Sequence, residues 1–153
     1  MLENNWNDLI TPSNVVITSK DGDIKGTVVA EPIERGYGLT IGNSLRRVLL
    51  SSLQGAAVTA IQIENVLHEF SSIPGVREDV VDLILNIKNI SVKSHIEGTS
   101  KVSLNAKGPC QVTAGMIQSS ANVEIKNPDL VICNLDKGSV LNIEFVIDTG
   151  RGY

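Results

Sequence analysis

Residues 90–147 break into six short stretches, "ISVKSHI", "KVSLNAKG", "CQVTAG", "NVEIKN", "LVICNL" and "VLNIEFVID", with Gly, Pro, Asn and Asp between them. β-Branched and alternating apolar residues fill the stretches, and the turn formers recur too often for helices of useful length. Strands this short and this closely spaced are expected to pair as an antiparallel sheet or a small barrel-like module. No fixed-period repeat runs through them.

The segment before residue 90 is mixed. Two β-branched runs, 15–18 and 25–30, flank "SKDGD", whose Asp21-Gly22 step signals a turn, so a hairpin is expected that Pro32 ends or holds at an edge. Thr40 then reads as an N-cap. After it Ile41, Leu45, Val48 and Leu49 recur at helical spacing, predicting a one-faced helix over 40–53. At about 100° per residue, Asn43, Arg46, Arg47, Leu50 and Gln54 gather on the other side. "GAAVTAIQIEN" alternates like a strand, and "VLHEFSSI" is expected as its hairpin partner. In "IPGVREDVVDLILNIKNI", Pro74-Gly75 punctuates and Glu78 and Asp79 suit a helix's first turn. Val80, Leu83, Ile84 and Ile87 share a face that Val81 and Leu85 widen, which predicts a well-buried helix. The closing "TGRGY" reads as a turn-like segment, and truncation is expected there.

The stretch "ERGYGLTIGNSLRRVLLSSLQG" invites a phosphate-binding reading, because Gly36, Gly38 and Gly42 lead into a helix. The dinucleotide register fails: its third glycine position is Ile41, and Gly42 comes one residue late. Glu64 could serve as a ribose-binding acid, but no G-K-[ST] and no strand–helix alternation support it. The glycines are better explained by a tight loop, with Gly42 letting another backbone come close. Arg46 and Arg47 read either as a solvated helix face or as a protein interface around Leu50, since the guanidinium fork pairs with carboxylates and stacks on apolar surface.

Other chemistry finds no support. His68 and Glu69, read as strand neighbours, face opposite ways, and His68 and His95 form no HExxH pair. Cys110 and Cys133 lack CxxC spacing and read as small, half-buried apolar residues. No catalytic, metal-binding or cofactor-binding residue is expected. With 13 basic against 17 acidic residues, a net charge of −4 argues against a general polyanion binder. The polar, acidic start is unlike a signal peptide and no apolar run approaches the roughly 20 residues of a bilayer span, so a cytoplasmic protein without membrane contact is expected. The residues alone indicate a soluble α+β interaction module.

Several blocks carry a resemblance: "AEPIERGYGLTIGNSLRRVLLSS", in which alanine at position 30 departs from the family's motif, then "VLHEFSSIPGVREDVVDLILNIKNI", "PDLVICNL" and "GRGY". Over residues 15–153 the chain resembles bacterial RNA polymerase alpha subunits. The resemblance implies an α+β fold with a discontinuous assembly and dimerisation subdomain, begun by residues 1–54 and interrupted by a mainly antiparallel insert subdomain over 55–153. A return segment and a C-terminal domain that binds promoter DNA are absent from the sequence, so no DNA contact is expected here. It implies a homodimer that scaffolds the beta and beta-prime subunits, part of a nucleotidyltransferase without supplying catalytic residues or binding a small-molecule substrate. The first helix is similar to the family's dimerisation helix, with Ile41, Leu45, Val48 and Leu49 for packing and Arg46, Arg47, Leu50 and Ser51 for contact with beta. A generic antiparallel-sheet interaction module without enzymatic activity is the alternative.

Overall fold

A computed structural model describes residues 8–20, 25–118 and 120–152. The fold is α+β and mainly antiparallel, and it divides into a unit ending at Ser52 and a unit beginning at Leu53.

In the first unit, β1 (Asn14–Lys20) and β2 (Lys25–Glu31) pair antiparallel, with Val15 opposite Ala30 and Ile17 opposite Val28. β2 stops immediately before Pro32, which cannot donate to a ladder. The turn expected at Asp21-Gly22 lies outside the described residues. Helix α1 follows at Tyr37–Ser51, three residues earlier than Thr40 would have started it. The N-cap is Gly36 at φ 90°, a left-handed conformation that glycine adopts without a Cβ penalty, and no side chain caps the helix. Thr40 is therefore inside the first turn. Gln54 is not on α1 at all, because the helix ends at Ser51 and Gln54 opens the next strand.

The second unit contains β3 (Gln54–Ile63), helix α2 (Val80–Ile87), β4 (Val92–Ser94), β5 (Ser100–Lys107), β6 (Cys110–Thr113), a 3₁₀ turn at Ala114–Met116, β7 (Val123–Ile125), β8 (Val131–Leu135) and β9 (Val140–Arg151). The strands form a five-stranded sheet in the order β5-β9-β3-β4-β7 and a two-stranded ribbon β6-β8, antiparallel throughout. β9 lies between β5 and β3. It alternates buried Leu141, Ile143, Phe145 and Ile147 with half-exposed residues, and β5 answers with Val102, Leu104 and Ala106. Thr59 makes β3 bulge between Val58 and Ala60 and sends its hydroxyl to the Val146 carbonyl at 3.3 Å. The bulge keeps Val58 and Ile61 on the core side of the sheet.

The expected strand in "VLHEFSSI" does not form. β3 takes β9 and β4 as neighbours, and the chain turns at Asn65, whose φ of 63° suits asparagine better than a β-branched residue. Nor does the start of "TGRGY" turn: Thr149, Gly150 and Arg151 continue β9 and pair with Ala56, Gly55 and Gln54, while Tyr153 lies outside the described residues. Adjacent strands supply the partners that local composition lacks.

Helix α2 buries Val80, Leu83 and Ile87, while Ile84 is half-buried and Val81 and Leu85 are exposed, so its buried stripe is narrower than expected. Asp79 caps it, accepting a 2.8 Å bond from the Asp82 N–H. Asn86 ties the helix to β8 by donating to the Ile132 carbonyl at 2.9 Å. Glu78 lies outside the helix and grips β8 instead. Its carboxylate accepts from the Asn134 backbone N–H at 2.8 Å and from the Asn134 amide at 2.7 Å. Gly75, at φ 79°, lets the preceding turn close, and its carbonyl accepts from the Asp136 N–H at 2.8 Å. The core cluster begins at Ile63, and among the described residues of the first unit no side chain is buried.

Candidate functional site

Helix α1 carries every site residue expected from the sequence. Local backbone sets its entry: the Tyr37 N–H bonds the Glu34 carbonyl at 3.1 Å, and Glu34 uses its own N–H and a carboxylate oxygen to hold Ile10 at 3.3 and 3.2 Å. The Ser52 N–H closes the far end on the Val48 carbonyl at 2.9 Å.

With about 100° of rotation per residue, Ile41, Leu45, Val48 and Leu49 make one stripe, and Arg46, Leu50 and Arg47 make the opposite face. All seven are exposed. The earlier start of α1 adds two residues that reading from Thr40 missed. Tyr37 extends the apolar stripe, and Leu39, 75% exposed, falls on the same side of the helix as Leu50, about three turns away. Taking Gly36 rather than Thr40 as the helix boundary would have revealed both. Arg46 and Arg47 form no ion pair among the described residues, leaving their guanidinium donors to solvent. Ser51 donates its hydroxyl to the Arg47 carbonyl one turn back, so only its lone pairs face outward.

An amphipathic helix whose two faces are both wet can associate. Gly38 and Gly42 have nothing within 4 Å of where a Cβ would sit, so among the described residues the close backbone approach expected at Gly42 is not made.

The second unit holds the remaining chemical candidates apart. His68 and Glu69 sit in a turn rather than a strand, and the Glu64 carboxylate accepts from the Asn142 amide at 2.6 Å. Cys133 is fully buried, not half-buried, and burial pushes its thiol up to about 12; Cys110 is half-buried, a diagonal neighbour across the β6-β8 ribbon. Among the described residues no group of three His, Cys, Asp or Glu is placed to hold a metal, and no helix is long and apolar enough to cross a membrane.

One surface escaped the sequence reading. The turn after β3 presents Leu67 and Phe70 at 99% and 82% exposure, and Leu67 lines a cavity of about 250 Å³ with Ile61, Val66, His68 and Ile84. Assigning these residues to a strand placed them in a ladder; Asn65, a residue that tolerates positive φ, was the signal for a turn.

Residues 61–153 match the model of a family described as the RNA polymerase Rpb3/RpoA insert domain. The match covers the core-bearing part of the second unit and stops short of α1.

Proposed function

The chain belongs to the RNA polymerase Rpb3/RpoA insert-domain family and is an alpha-type polymerase subunit, associated with other polymerase subunits in transcription; from that premise we propose that it is a non-catalytic assembly platform in a bacterial, cytoplasmic enzyme. Residues 1–54 begin the dimerisation and assembly subdomain, and residues 55–153 are the insert. Ile41, Leu45, Val48 and Leu49 pack against a second copy. Arg46, Arg47, Leu50 and Ser51 receive the beta subunit, and beta-prime completes the assembly.

The observation that carries this reading is α1 itself, a 15-residue helix with a continuous apolar stripe, an arginine–leucine face, and no buried residue. Covering a Val, Leu or Ile stabilises a complex by about 1.5–3 kcal/mol before the costs of association, so four such residues are a strong incentive to pair. Arginine on the other face suits a carboxylate-bearing partner, because its planar fork binds two oxygens at once.

The reading is tested by expressing this chain with a bacterial beta subunit and purifying through a tag on the chain. Arg46→Ala/Arg47→Ala is expected to lower recovered beta at least about tenfold, the effect of losing ~1.4 kcal/mol, while circular dichroism stays unchanged. Undiminished capture by the double variant would remove the arginine face from the proposal.

A further inference from the structure

We draw no further inference here: the strongest candidate, the exposed turn after β3 bearing Leu67 and Phe70, is an unpartnered face, and nothing in the structure shows what covers it.

Discussion

In the unit that begins at Leu53, β9 hides Leu141, Ile143, Phe145 and Ile147 from water, whereas in the unit that ends at Ser52 the equally regular stripe of Ile41, Leu45, Val48 and Leu49 stays exposed. Both patterns are periodic and both are apolar. The first is answered within its own unit by β5, β3 and α2; among the described residues of its own unit the second meets no layer that buries it. Periodicity thus identifies a face that favours burial, but the identity of the covering surface comes from tertiary partners, which can lie outside the segment that carries the pattern.

The sharpest way to break this contrast is truncation on each side. Phe145→Ala should destabilise the second unit by about 3–5 kcal/mol, since the ring is wholly buried between neighbouring strands. Leu50→Ala should change stability by less than about 0.5 kcal/mol, as expected for an exposed site. Urea unfolding followed by hydrogen exchange at β9 and α1 amides reads both, and equal losses would mean that α1 is not the open element described.

Glycine replacements come next, and they should differ in sign. A Cβ at Gly108 would overlap the Asp136 carbonyl oxygen and lie 2.8 Å from the Ser139 Oγ, so Gly108→Ala is expected to cost about 3 kcal/mol. At Gly42, within α1 and with open space around it, alanine should strengthen the helix by about 1 kcal/mol. Exchange rates in the two segments separate the effects; slower exchange in α1 is the expected mark of Gly42→Ala.

A smaller difference is set by pH. Burial acts to raise the Glu78 pKa, but hydrogen bonds from the Asn134 backbone and side chain, with the Arg77 charge, outweigh it and hold the carboxyl below its ordinary 4.5. The unfolded chain then takes up this proton first as pH falls, so the stabilisation is present above about pH 4.5 and is lost through the lowered folded pKa. Glu78→Gln should flatten the acid limb of a thermal-unfolding profile of the second unit. An unaltered limb would show that the contact does not contribute.

The mildest test leaves stability untouched. At pH 8, iodoacetamide should modify the half-buried Cys110 much faster than Cys133, whose thiol stays protonated and covered. Similar rates, measured by mass spectrometry of peptides, would mean that the β6-β8 ribbon opens readily.

The sequence was legible where a residue's role depended on its near neighbours. The alternation of β9 and β5, the hairpin of β1 and β2, and the helical spacing of α1 and α2 all appear in the structure. What stayed hidden depended on distant residues. Glu78 looked like a helix-start acid because Asn134 is 56 residues away. "TGRGY" looked like a turn because its ladder partners are Gln54 to Ala56. The start of α1 was misplaced for another reason: Thr40 can cap a helix, but a left-handed Gly36 does so at the level of the backbone, with no side-chain signature. Of the candidate site, the spacing of residues on α1 was readable, while Tyr37 and Leu39 were lost with that boundary.

The pairing of Gln54 with Arg151 sets an order of events during synthesis. β3 leaves the ribosome early but must wait for β9, the last of the described strands, before its principal ladder can close. Until then Ile61 and Ile63 have no neighbouring strand from β9 to cover them, and the nascent chain carries an unpaired sheet edge through the translation of the whole intervening segment. Long-range closure of this kind is slow and leaves apolar surface open to misassociation. Translation speed and chaperone occupancy over residues 64–139 therefore bear on the yield of this subunit as directly as the stability of its finished core.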